Sequence, residues 1–222
     1  MASDVMAVIY DRRGRGESGD NSRNYVVEDE IADLAAVIAH VGGRAGVFGH
    51  SSGGVLALEA AMRGLPIDRV AVYEATYISD DSRPLPAADV PDRVRALIAL
   101  GDRDGATALF LTEQVGVPPE MVAGMQAAPV WSFMSAQADS LPYDMAVCGP
   151  QLTFPSDRLA RISVPSLIIA GQLGEPWIRA TAAELGDTIP HADHRTIPGQ
   201  DHSILHQPDA LAPSLLDFFT AD

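Results

Sequence analysis

A chain of 222 residues, 47% hydrophobic and 20% charged, is long enough for one well-buried core with room for an inserted subdomain. Its net charge of −15, from 30 acidic against 15 basic residues, argues against nucleic acid or anionic lipid as a partner. Every basic residue counted there is arginine, which excludes a Walker A loop, a pyridoxal Schiff base and a Ser-x-x-Lys nucleophile pair, and the single cysteine, Cys148, excludes an intrachain disulfide and a cysteine-rich zinc site.

No apolar run reaches the ~18 residues needed to span a bilayer. The opening Met1-Ala2-Ser3-Asp4 lacks a basic stretch ahead of an apolar core, so a cytoplasmic location is expected. Along the chain, Val5 to Tyr10 reads as a buried strand, and Val27, Ile31, Leu34, Ile38 and Val41 fall at helical spacing. Ala45 to Phe48 reads as a strand, Gly53 to Arg63 as a helix and Arg69 to Tyr73 as a strand. Between Thr76 and Arg161 the pattern changes to helix-like segments around Val90 to Leu100, Ala106 to Gln114 and Pro119 to Gln126, interrupted by prolines. The first rhythm then resumes with a strand at Ser163 to Ala170, a helix at Pro176 to Leu185, a short strand at His194 to Ile197 and a closing helix at Asp209 to Phe219. Strands alternating with helices predict an α/β fold, a mostly parallel sheet covered on both faces, built from residues 1–75 and 162–222 with a helical cap insertion over 76–161.

Two glycine motifs bear on chemistry. "YDRRGRGESGD", Tyr10 to Asp20, places Gly14, Gly16 and Gly19 at the G-x-G-x-x-G spacing of a dinucleotide loop. Such a loop needs its helix to begin within the glycine run, so that the helix N-terminus faces a pyrophosphate. Here polar residues follow Gly19 and the helical pattern starts near Val26, so the run reads as a turn needing unusual backbone angles, and no cofactor is expected. The second motif, Gly49-His50-Ser51-Ser52-Gly53, is G-x-S-x-G between a strand and a helix. A sharp strand-to-helix turn there lifts the Ser51 hydroxyl above the sheet and points helix N–H groups at a developing oxyanion, one of them from Ser52. The plain alternative is a glycine-bounded turn whose serines cap a helix.

With these residues in place the chain resembles the α/β-hydrolase family, in its serine-nucleophile branch. "YDRRGRGESGD" looks like the loop after the family's fourth strand, "GHSSGG" like its nucleophile elbow and "GQDH" like its histidine loop. The family order of serine, acid, histidine implies His202 as the base, since it lies between the last strand and the last helix; His50, His191, His194 and His206 are placed less well. The usual acid position reads G-x-x-D, but Gly171-Gln172-Leu173-Gly174 puts glycine there, with Glu175 one residue late. Some branches place a glutamate after the sixth strand, and "VAVYEATY" holds Glu74 at that point. Glu74 is the favoured acid and Glu175 the alternative; a strand-end glutamate pairing with an arginine such as Arg12 is the structural reading of the same residue.

Trp131, Phe133, Met134, Tyr143 and Met145 of the cap, with Trp177, are read as an apolar substrate pocket, although such residues also serve as core. Serine at position 51, where dehalogenases and epoxide hydrolases of this fold carry aspartate, speaks against both chemistries. The resemblance also implies three strands ahead of the one at Val5, the third lying between the strands at Val5 and Ala45. The chain therefore reads as N-terminally incomplete, and without the loop after the third strand the second oxyanion donor is missing and activity is in doubt. The expected partner is a small hydrophobic substrate, with no metal, nucleic acid or membrane. Three functions stay open: an esterase-like serine hydrolase, a non-hydrolytic member that binds, cyclises or isomerises a hydrophobic metabolite, and an inactive truncated member.

Overall fold

The computed structural model describes residues 5–20 and 24–221. In chain order its elements are α1 (Val27–His40), β1 (Ala45–His50), α2 (Ser52–Met62), β2 (Ile67–Tyr73), α3 (Val90–Ala99), α4 (Arg103–Leu109) running into a π-helical segment (Phe110–Val115), α5 (Pro119–Gln126), α6 (Val130–Ala136), α7 (Leu141–Cys148), α8 (Ser156–Leu159), β3 (Ser166–Gly171), α9 (Pro176–Thr188), β4 (Ala192–Ile197) and α10 (Pro208–Thr220). Among the described residues no helix is long and apolar enough to cross a membrane.

The four strands form one parallel sheet in the order β1-β2-β3-β4. Burial follows position in the sheet. All six residues of β3 and Val70 to Tyr73 of β2 are buried, as strands covered on both faces require, while the edge strands β1 and β4 are half-exposed. Ala71, Tyr73, Leu167 and Ile169 share one face and pack with Leu211 and Phe218 of α10. The alternate set, Val70, Val72 and Ile168, points the other way. His194, the register partner of Ile168, lies on that second face, where Gly186 of α9 comes so close that a Cβ there would sit 2.9 Å from the His194 Cβ.

The sequence reading of Val5 to Tyr10 as a buried strand is corrected. The segment carries no ladder, Met6 is 73% and Ile9 95% exposed, and β1 is an edge strand of the sheet. A strand needs a neighbour for its backbone hydrogen bonds. Val5 to Tyr10 has no ladder partner among the described residues, nor does it pair directly with β1.

Two compact units partition the chain: residues to Tyr10, Glu30–Arg83 and from Phe154 on form the sheet unit, and Asp11–Asp29 with Pro84–Thr153 form a helical unit. The helical unit has its own apolar clusters, one of Val90, Val94, Ala106, Ala138 and Met145, the other of Leu111, Val122 and Trp131. The glycine run belongs to this unit. Gly14 and Gly16 take φ of 72° and 50°, the backbone N–H of Glu17 and the Ser18 hydroxyl donate to the side chain and carbonyl of Asp11, and a Cβ on Gly16 would fall on the Asp11 carboxylate.

If β3 is the centre of the core, Leu167→Ala should destabilise the protein by roughly 2–5 kcal/mol, whereas Leu100→Ala, at a side chain 82% exposed, should stay within about 0.5 kcal/mol. Urea unfolding of the two variants checks the ranking.

Candidate active site

The turn from β1 into α2 brings the first candidate residue out of the sheet. Ser51 follows β1 with φ 56° and ψ −123°, a conformation that non-glycine residues adopt at a cost of order 1–3 kcal/mol. Its backbone N–H donates to the Tyr73 carbonyl, and its own carbonyl accepts from Gly54 and Val55, so the strain is held by β2 on one side and by the first turn of α2 on the other. The glycines of the motif are unequal. A Cβ on Gly49 would lie 2.1 Å from the Gly53 carbonyl oxygen and 2.6 Å from the Gly54 nitrogen, whereas one on Gly53 would meet nothing within 4 Å. The close approach that permits the turn is therefore made at Gly49 and Gly54, and Gly53 is not required by packing. Ser52 opens α2, where the helix dipole favours negative charge.

The second candidate residue stands just past the end of the neighbouring strand. Glu74 takes φ 49°, so Ser51 and Glu74 are two of the four non-glycine residues with positive φ among the described residues, and both sit at strand ends on the same edge of the sheet. The Glu74 side chain has no exposed surface, yet both carboxylate oxygens are satisfied: Oε1 accepts from the Gly171 N–H at 3.0 Å, and Oε2 lies 2.6 Å from His202 Nδ1. Gly174, the position where the usual family acid would stand, leaves room for this. A Cβ there would lie 2.5 Å from Glu74 Oε1. Glu175 is exposed at the head of α9, and Arg12 pairs instead with Asp144 at 3.0 Å.

His202 stands in the loop between β4 and α10, its side chain 46% exposed. A carboxylate only accepts, so the 2.6 Å contact places a proton on Nδ1, and in the neutral ring the lone pair is then on Nε2. His50, absent from the sequence-derived site, lies beside it, with ring centroids 4.5 Å apart. Burial, aided by the nearby His202, lowers the His50 pKa to about 4, so this ring is neutral at physiological pH.

The residues read as an apolar pocket are distributed over both units. Trp131 and Met145 are buried in the clusters of the helical unit, Met134 packs against the Trp131 cluster, and the Trp131 indole N–H donates to Asp104 at 2.8 Å. Tyr143 stacks on Tyr25 with centroids 4.0 Å apart and hydrogen-bonds Asp20, while Phe133 is 68% exposed. Trp177, in the first turn of α9, is buried beneath the Arg83 guanidinium, which lies 4.8 Å from the ring centroid.

The model of the alpha/beta hydrolase family matches residues 2–214. The chain belongs to that family. It is similar to an alpha/beta hydrolase from Sphaerobacter thermophilus DSM 20745, with 54% identity and a TM-score of 0.88 over 95% of this chain and 80% of that one. A hydrolase from Pseudomonas aeruginosa PA01 is 25% identical with a TM-score of 0.71, covering 96% of this chain and 78% of its own. The enol-lactonase from Burkholderia xenovorans LB400 shares the fold at 21% identity, with a TM-score of 0.67 over 96% and 80% of the two chains. No curated protein matches the chain.

The unequal glycines of the β1–α2 turn give opposite expectations. Gly49→Ala should destabilise by roughly 1–3 kcal/mol or more, because the clash is with backbone. Gly53→Ala should be neutral or stabilise by up to about 1 kcal/mol, because alanine is the better helix former and the site is open. Unfolding midpoints of the two variants decide it, and equal effects would contradict the elbow geometry.

Proposed function

We propose that the protein is a serine hydrolase that cleaves an ester or related acyl bond in a small hydrophobic substrate. The observation that carries this reading is the 2.6 Å contact between His202 Nδ1 and the fully buried Glu74. It holds the imidazole in the tautomer whose Nε2 accepts a proton, which a serine hydroxyl requires before it becomes a useful nucleophile.

On this reading Ser51 Oγ attacks the acyl carbon while His202 Nε2 takes the hydroxyl proton. The carbonyl electrons move onto oxygen, where the Ser52 N–H at the head of α2 and the helix dipole stabilise the charge. His202 then protonates the leaving alcohol, leaving an acyl-serine. Water repeats the sequence: His202 accepts its proton, the hydroxyl adds to the acyl carbon, and the serine leaves with the proton returned. At each transfer the imidazolium forms against the Glu74 carboxylate. Similarity at 54% identity to an alpha/beta hydrolase supports hydrolysis over the non-hydrolytic alternative. The apolar character proposed for the acyl group is carried by the sequence reading, since Trp131 and Met145 are taken up in the packing of the helical unit and Trp177 is buried in the sheet unit.

Ser51→Ala should lower turnover of short p-nitrophenyl esters by on the order of 10⁴-fold or more with an unchanged unfolding midpoint. Glu74→Gln should cost on the order of 10⁴-fold. The Gln carbonyl is needed by the Gly171 N–H, which turns the amide NH₂ toward His202 Nδ1 and forces the wrong tautomer. Glu175→Gln should change turnover by no more than about 2-fold, being a surface substitution. The reverse ranking of the two glutamates would assign the acid to the loop after β3.

A further inference from the structure

Three consecutive carbonyls of the loop that carries His202 are each held from a different strand. The Gln200 carbonyl accepts from the Leu173 N–H, just past β3, at 2.8 Å. The Asp201 carbonyl accepts from the Tyr73 hydroxyl, the last residue of β2, at 2.7 Å. The His202 carbonyl lies 2.8 Å from Nε2 of His50, the last residue of β1; a carbonyl only accepts, so this nitrogen carries the proton. His50 and Tyr73 are register partners across the β1–β2 ladder, their rings stack with centroids 5.7 Å apart, and they directly precede Ser51 and Glu74.

From this arrangement we infer that His50 and Tyr73 form a two-point clamp on the histidine loop, positioning residues that fix the His202 imidazole relative to Ser51 and Glu74 without touching substrate. The Glu74 contact alone leaves His202 a swivel, because one hydrogen bond at Nδ1 does not set the direction of Nε2. Fixing the carbonyls on either side of the His202 N–Cα–C unit sets the backbone from which the ring projects. The sequence around the clamp fits this use. Gly171 is where the loop, Tyr73 and Glu74 converge, since a Cβ there would lie 2.3 Å from the Gln200 carbonyl oxygen and 2.5 Å from the Tyr73 hydroxyl. The depressed pKa of His50, about 4, keeps the clamp ring neutral beside an imidazole that must itself become charged. Burial first, then the nearby Glu74 and Asp201, push the Tyr73 hydroxyl upward, so it stays protonated as a donor.

The clamp rests on the hydrolase reading for its consequence but not for its test. His50→Phe and Tyr73→Phe remove one donor each and keep a ring in the stack. Each should lower kcat about 5-fold with KM changed less than about 2-fold, and the double variant should lose more than either single one, the size expected for losing ordinary hydrogen bonds to a reacting group's support. His50→Gln, whose side-chain amide also donates from the ε position, should recover most of the loss; a purely structural role would respond to ring volume and not be rescued. A second measurement needs no substrate. The downfield proton resonance of His202 Nδ1–H, assigned by its loss in Glu74→Gln, should exchange with water at least several-fold faster in the double variant at an unchanged unfolding midpoint. An exchange rate equal to wild type would overturn the clamp whatever the esterase assay gives. Failure of the hydrolase reading would show differently, as ester turnover that survives Ser51→Ala, with the exchange rate still deciding the clamp.

Discussion

A carboxylate withdrawn from water has to be met by donors, and the site is arranged around that requirement at Glu74. Its two oxygens are taken by the Gly171 N–H, at the end of β3, and by His202, in the loop after β4. Several otherwise unrelated features follow from it. The residue just past β2, Glu74, is held at a φ of 49° while its carboxylate meets His202. Positions 171 and 174 are glycine because side chains there would occupy the space of the Tyr73 hydroxyl, the loop carbonyl or the carboxylate itself. The sequence G-x-x-G from the end of β3, which departs from the usual family pattern, is the packing counterpart of a buried glutamate just past β2.

The parallel sheet supplies the geometry at low cost in ordered loops. Because β1 and β2 are in register at His50 and Tyr73, the residues that follow them, Ser51 and Glu74, leave the sheet side by side. Both carry positive φ, and the strain at each is held by backbone hydrogen bonds: Ser51 N–H to the Tyr73 carbonyl and Glu74 N–H to the Ile169 carbonyl. The chemistry proposed here thus depends on strand pairing in the core, where Val70, Ala71, Val72 and Tyr73 are fully buried.

Much of this arrangement was legible in the sequence, for physical reasons that differ by residue. G-x-S-x-G between an apolar run and a helical pattern leaves the backbone few conformations, and an unpaired glutamate closing the apolar run "VAVY" implies a buried partner. What escaped was whatever depends on neighbours distant in sequence. Val5 to Tyr10 has the composition of a strand, but a strand exists only with a partner, and composition does not report one. His50 and Tyr73 look like an elbow residue and a core aromatic. Their bonds are to main-chain carbonyls of residues 201 and 202, and a carbonyl leaves no trace in a side-chain sequence. The one available signal was a polar-tipped residue ending each of two adjacent strands. Trp131 and Met145 show the converse, since an apolar residue in an insertion reads the same whether it faces a substrate or holds the insertion together.

The central claim is that the His202–Glu74 pair activates Ser51, and covalent labelling tests it most directly. A fluorophosphonate reacts with a serine only when its hydroxyl proton can be removed, so the adduct reports activation without any assumption about substrate. Intact mass and peptide mapping should place a single phosphonyl group on Ser51 in the wild-type protein, with labelling lost in His202→Ala. Labelling at another residue, or labelling of Ser51 that proceeds unchanged in His202→Ala, would contradict the account.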